Sequence, residues 1–187
     1  MTAAAAAHAH RLDPTERSTH VVQGEFAVSG DPRQVFSTLL GSCVAACIMD
    51  PKAGVGGMNH FLLPGDDDSS GLRYGVNAME LLINGLLQQG ARRDRLQGKL
   101  FGGARVLDGF SDIGQQNAAF AERFFKDEGV AYLGGSLGGN LPRRIQFWPA
   151  SGRARQRFLS PDDRTVFERE APRAPAPPAA VDEVELF

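Results

Sequence analysis

Two apolar runs, Val44–Met49 and Val55–Leu63, flank the segment Asp50-Pro51-Lys52-Ala53-Gly54, and this arrangement restricts the fold more than any other stretch. Proline presets φ at the first central position of a turn, and Asp and Gly supply further turn chemistry. Each run has the length of a strand. The expected unit is a β-hairpin turning over Asp50–Ala53, with its midpoint between Pro51 and Lys52. In a regular hairpin Cys43 and His60 are equidistant from that midpoint and stand opposite one another on one face. Gly54, Gly56 and Gly57 invite a bulge, and a slip of one residue moves a side chain to the other face.

The rest of the chain predicts further strands and two helices. Val21–Val28 alternates weakly, and Val35–Leu40 runs apolar into Gly41-Ser42-Cys43. Tyr74, Ala78, Leu81, Leu82 and Leu86 recur at spacings of three and four, which predicts a helix with one apolar stripe, ended at Gly90. A second helix fits Asp112 to Glu128, with Ile113, Phe120, Ala121, Phe124 and Phe125 on its apolar side and Gly129 closing it. Leu96–Phe101, Val130–Leu133, Arg144–Trp148 and Arg155–Leu159 are the remaining strand candidates. The pattern is mixed α+β without strict βαβ alternation.

A length of 187 residues favours one domain. The expected division is a flexible N-terminal arm over 1–20, a domain over 21–160, and a tail over 161–187. The tail is rich in Pro and Ala over Ala171–Pro178, which suits an extended segment, and it ends in mixed acidic and apolar residues. His8 and His10 belong to the arm. A net charge of −2 gives no electrostatic case for nucleic acid or a membrane surface. No apolar run approaches the roughly 18 residues of a membrane span, and Met1–His10 does not read as a secretory signal. Cys43 and Cys47, in one strand, would lie roughly 13 Å apart at about 3.3 Å per residue, too far for a disulfide. Two free thiols suit a reducing compartment, so the expected location is cytoplasmic.

Cys43 and His60 together carry chemistry. An imidazolium beside a thiol stabilises the thiolate, and the same His can protonate a leaving amine and activate water. Gly41-Ser42 before Cys43 permits a sharp backbone that aims amide N–H groups at a developing oxyanion. The bland readings stand beside this one. Cysteine is usually a buried structural residue, the reading favoured for Cys47, and a lone His among apolar residues usually belongs to the core. Cys43, Cys47 and His60 give three metal ligands, short of the four of a structural zinc site, so no metal is expected and no cofactor either. Gly134-Gly135-Ser136-Leu137-Gly138-Gly139 lacks the lysine of a phosphate loop and reads as turns. Gly102-Gly103, after a strand, lets backbone approach a ligand.

The runs Thr38–Pro51 and Gly56–Pro64, with Arg73-Tyr74-Gly75, Lys99–Ala104 and Ile113–Asn117, resemble the chemoreceptor glutamine deamidase family, CheD, over about Val21 to Gly152. The resemblance implies an α+β fold of layered, sandwich-like mixed β-sheets with helices packed outside, related to bacterial toxin deamidases. It implies a cysteine-dependent amidohydrolase that converts glutamine side chains of chemoreceptor cytoplasmic domains to glutamate through a thioester. Cys43 would be the nucleophile and His60 the base. The third member would be a hydroxyl before the Gly-Ser-Cys motif, Ser37 or Thr38. A CheC-type phosphatase is the second implied partner. Where the family pattern has Asp-x-Gly-Gly-x-x-Gly-Arg, this chain has Ser136, Gly138, Gly139, Pro142 and Arg143. Two other functions remain open on the residues: a non-catalytic adaptor binding receptors or the phosphatase, and a cysteine peptidase or transferase.

Overall fold

The structure, a computed structural model, describes residues 15–63, 69–105 and 113–160. Residues 1–14 of the expected arm, Asp66–Asp68 of the polar loop, Asp112 and the expected tail lie outside the described residues. The strands, in chain order, are Arg17–His20 (β1), Phe26–Ser29 (β2), Gln34–Leu40 (β3), Val44–Asp50 (β4), Val55–Asn59 (β5), Gln97–Gly102 (β6), Ala131–Leu137 (β7), Arg143–Trp148 (β8) and Arg153–Phe158 (β9). The helices are Ser69–Gln88 (α1) and Ile113–Asp127 (α2).

Two mixed sheets stack. One runs β1-β3-β8-β9 and the other β2-β5-β4-β6-β7. Their pairs are antiparallel except β1 with β3 and β6 with β7. Period-two alternation splits β4 between two cores. Ala45, Cys47 and Met49 pack between the sheets with Val21, Phe36, Leu40, Met58, Phe101, Ile145 and Phe147. Val44, Ala46 and Ile48 pack on the other side with Met79, Leu82, Leu86, Phe120 and Phe125 of the helices. A strand in mid-sheet, covered on both faces, has no polar side to show, which explains its unbroken apolar run. Phe125 is 1% exposed, and burying such a ring contributes about 1.5–3 kcal/mol. It fits because Gly98 of β6 has no side chain; a Cβ there would lie 2.5 Å from the ring.

The hairpin forms, with its centre displaced. Asp50 Oδ1 accepts the N–H groups of Lys52 and Ala53 at 2.9 and 3.2 Å, and Gly54 takes a φ of 66°, open to glycine. The loop is therefore residues 51–54, and Asp50 pairs with Val55, Cys47 with Met58 and Val44 with Phe61. Moving the midpoint by one residue shifts every pairing by two, so faces are preserved. His60 falls across from Ala45, one pair from Cys43 on the same face.

Other expectations need correction. Arg17–His20, assigned to the arm, is a strand parallel to β3. Val21–Val28 is not one strand: Val21–Glu25 is the crossing between the two sheets, and only Phe26–Ser29 pairs with β5. The buried stripe of α1 is Gly75, Met79, Leu82, Ile83 and Leu86, while Tyr74 and Leu81 are 39% and 44% exposed. The helix is rotated because Gly75 must admit Phe120 of α2; a Cβ there would sit 2.7 Å from that ring. Gly134 and Gly135 are strand rather than turn. They form a bulge in β7 where the register with β6 shifts, and a Cβ on Gly135 would lie 1.9 Å from the Leu100 carbonyl oxygen.

Candidate active site

The crossing Val21–Glu25 and the end of β5 meet over the open edge of the inter-sheet core. Gly24 N–H donates to the His60 carbonyl at 2.7 Å, and His60 N–H donates to the Glu25 carbonyl at 3.0 Å. These bonds fix the His60 backbone, and its ring points inward, 6% exposed.

Thr38 reaches that ring from the other sheet. Its Oγ1 lies 2.9 Å from His60 Nδ1 and donates to the Val21 carbonyl at 2.7 Å. A hydroxyl has one proton. Once the Val21 carbonyl takes it, Oγ1 can only accept from Nδ1–H, with the Val21 oxygen 3.3 Å from the same nitrogen. This network assigns the Nδ1–H tautomer and leaves Nε2 a bare lone pair. Nε2 is buried without a hydrogen-bond partner among the described residues. A buried polar atom without a partner is costly, and one on a basic nitrogen is suited to taking a proton.

Ser37 and Thr38 separate by strand alternation. Thr38 shares the inward face of β3 with Phe36 and Leu40. Ser37 points to the opposite face, its Oγ 3.5 Å from that of Ser18. Of the two hydroxyls, only Thr38 meets the imidazole.

Cys43 stands between β3 and β4 with its thiol half-buried. Sγ is turned towards Gln23 Oε1 at 3.5 Å. Burial pushes the thiol up to about 11, against a smaller lowering by the Cys43 amide N–H. Burial also pushes His60 down to about 4, with the Val21 carbonyl opposing and the neighbouring His20 adding. The imidazolium expected to lower the thiol is not among the causes of its shift. Near neutral pH both groups are uncharged, because each has lost water and neither holds an opposite charge to compensate. Proton transfer between them belongs to the reaction, not to the resting state. Cys47 is fully buried with its thiol raised and lies among core side chains.

The backbone at Gly41-Ser42-Cys43 is held by its carbonyls. Ala104 N–H donates to Gly41, Gly103 N–H to Cys43, each at 2.8 Å, and Asn117 Nδ2 donates to Ser42 at 2.9 Å. Among the described residues, the amide N–H groups of Ser42 and Cys43 meet no backbone carbonyl. The left-handed glycines here are Gly102 and Gly103, with φ of 111° and 65°. A Cβ on Gly102 would fall 2.1 Å from the Cys43 carbonyl oxygen, so backbone approaches backbone where a ligand was expected.

Sequence reasoning did not single out Gln23, Val21 or Asn117 as site residues, and met Arg143 only as the last residue of the glycine-rich pattern. Asn117 lies in the Ile113–Asn117 run, where its polar side chain on the buried side of α2 was the available signal. Arg143, 1% exposed, donates to the carbonyls of Ser136 and Gly138 and to Ser136 Oγ, and so organises the glycine-rich segment. Among the described residues no group of three His, Cys, Asp or Glu side chains is placed to hold a metal ion.

A family model described as CheD chemotactic sensory transduction matches residues 62–158. The chain is 55% identical over 185 residues to a probable chemoreceptor glutamine deamidase CheD of Caulobacter sp. strain K31, covering 97% of this chain and 98% of that protein. A protein of the same description from Rhizobium leguminosarum bv. trifolii is 54% identical, covering 91% of this chain and 96% of that one. Another from Agrobacterium fabrum is 52% identical, covering 94% and 99%. Among solved structures, Neisseria meningitidis protein NMB0706 of family DUF152 aligns with a TM-score of 0.46 at 10% identity, covering 67% of this chain and 64% of that chain.

Proposed function

Because the chain belongs to the CheD family, we propose that it is a chemoreceptor glutamine deamidase in which Cys43 is the nucleophile and His60 the base. The observation that carries this reading is the bond from His60 Nδ1–H to Thr38 Oγ1, which leaves the buried Nε2 unprotonated and without a partner among the described residues.

The reaction starts from the neutral pair. As Sγ attacks the carboxamide carbon of a substrate glutamine, the thiol proton passes to Nε2. The carbonyl oxygen gains negative charge and is met by the N–H groups of Ser42 and Cys43. The imidazolium then protonates the departing nitrogen, ammonia leaves, and a thioester remains. Water, deprotonated by Nε2, attacks the thioester and releases glutamate, and the proton returns to sulfur. Thr38 accepts from Nδ1–H throughout and relays the Val21 carbonyl's polarity to the imidazolium, the orienting part that a carboxylate plays in triads. Each turnover places a new negative charge on the receptor.

The cytoplasmic domains of chemoreceptors are the proposed substrate, which puts the protein in the cytoplasm. Among the described residues no helix is long and apolar enough to cross a membrane. A CheC-type phosphatase is the proposed second partner. The test incubates a receptor cytoplasmic fragment with wild type and with Cys43→Ala. Deamidation releases ammonia and adds about one dalton to the intact substrate without backbone cleavage, and the variant should release none. Equal ammonia from both proteins would end the nucleophile assignment. Receptor binding without ammonia from either would favour an adaptor, and cleaved chains a peptidase.

A further inference from the structure

Asn117 is fully buried on α2 and makes two hydrogen bonds to other segments. Its Nδ2 donates to the Ser42 carbonyl at 2.9 Å, and its Oδ1 accepts the Leu63 N–H at 2.8 Å. The first bond acts on a specific peptide group. The Ser42 carbonyl and the Cys43 N–H belong to one planar trans peptide and point in opposite directions. Holding the carbonyl towards α2 therefore aims the N–H away from α2, towards the thiol. The effect of that N–H on the Cys43 sulfur agrees, since it favours the thiolate.

We propose that Asn117 is a positioning residue for the reaction: it fixes the Ser42–Cys43 peptide plane so that the Cys43 N–H faces the oxyanion that forms on the substrate carboxamide. The inference rests on Cys43 being the nucleophile. The neighbouring carbonyls of Gly41 and Cys43 are held by backbone donors from Ala104 and Gly103, which no side-chain substitution removes. The Ser42 carbonyl alone depends on a side chain. Asn117 thus sets the one freedom left to this segment, rotation of the peptide plane that carries the donor. A donor turned from the developing charge loses most of its effect, because oxyanion stabilisation depends on preorganised direction.

The experiment separates this role from simple support. Asn117→Asp keeps the volume and the acceptor for Leu63 but, when ionised, offers no donor to Ser42. Asn117→Ala removes both bonds. Each is tested by thermal melt, by steady-state deamidation of a receptor fragment, and by alkylation of Cys43 with iodoacetamide at pH 9. Alkylation senses the donor only through its lowering of the thiol, which is smaller than the effect of burial, and it builds no oxyanion, so deamidation senses the donor far more strongly. The expected result is a fall in kcat of about tenfold to a hundredfold, with KM and the alkylation rate within about twofold of wild type. A folded variant with unchanged kcat overturns the proposal. So does a parallel fall in alkylation and deamidation, which would mean that the whole segment has moved. In the wild type, a receptor peptide carrying glutamate γ-semialdehyde in place of the target glutamine forms a tetrahedral hemithioacetal with the thiol at the carbon that deamidation attacks. Its addition should move the Cys43 amide proton resonance downfield, and an unmoved resonance overturns the proposal without any substitution. Full ammonia release by Cys43→Ala would instead remove the nucleophile assignment, whatever the Asn117 variants do.

Discussion

A pair that rests uncharged makes an unusual demand on reactivity. With the Cys43 thiol at about 11 rather than 9.0, the thiolate fraction at pH 7.5 is about 3 in 10,000, against about 3 in 100 for an unshifted thiol. The rate of alkylation by iodoacetamide, which follows the thiolate, should therefore be about a hundredfold below that of a small-molecule thiol at the same pH. It should rise tenfold per pH unit through pH 9 without levelling. Cys47 is buried and its thiol is raised further, so mass spectrometry of the labelled protein reports Cys43 alone. His60, held at about 4, should show no imidazole titration by NMR between pH 8 and pH 5. Deamidation should be flat over that interval and fall only as Nε2 is protonated near pH 4. An alkylation plateau below pH 8, with a transition near pH 4 to 6, would be the signature of a preformed thiolate–imidazolium pair. That result would refute the argument that burial dominates both groups.

Four further outcomes follow from named contacts. Thr38→Val removes the acceptor for Nδ1–H and the donor to Val21, so it should cost about 1–3 kcal/mol in urea unfolding and reduce kcat about tenfold or more. Ser37→Ala, on the other face, should leave kcat unchanged and cost under about 1 kcal/mol. Asp50→Asn breaks the buried pair with Arg95, whose guanidinium lies 2.5 Å from the carboxylate, and should cost about 3 kcal/mol at pH 7. Burial opposes ionisation of Asp50, but Arg95 and the N–H groups of Arg92, Ala53 and Lys52 outweigh it and hold the carboxyl far below the usual range. That stabilisation is complete above the unfolded value near pH 3.9 and fades as pH falls, so the difference between wild type and variant should narrow on acidification below about pH 4. Gly102→Ala places a Cβ against the Cys43 carbonyl at a φ of 111° and should lower both the melting temperature and kcat.

The sequence by itself determined what depends on local period and turn chemistry. The apolar run Val44–Met49 and the turn at Asp50-Pro51 specified the hairpin, and the spacing of Phe120, Phe124 and Phe125 specified the buried side of α2. Even the shared face of Cys43 and His60 was legible. Faces alternate with period two, and the turn's displacement by one residue changes the pairing by an even number. The choice between Ser37 and Thr38 was not legible. Val35 and Leu39 are buried on one face of β3, and Phe36 and Leu40 on the other, so the pattern along β3 carries no sign of which side meets the second sheet. The stripe on α1 was misread for a related reason: leucines stand on several of its faces, and the glycine that admits Phe120 selects the one that packs. The charge state of the site also belonged to tertiary structure, because desolvation depends on everything packed around a group. Spacing brings a thiol and an imidazole to one face; the sheets that close over them decide whether either carries charge.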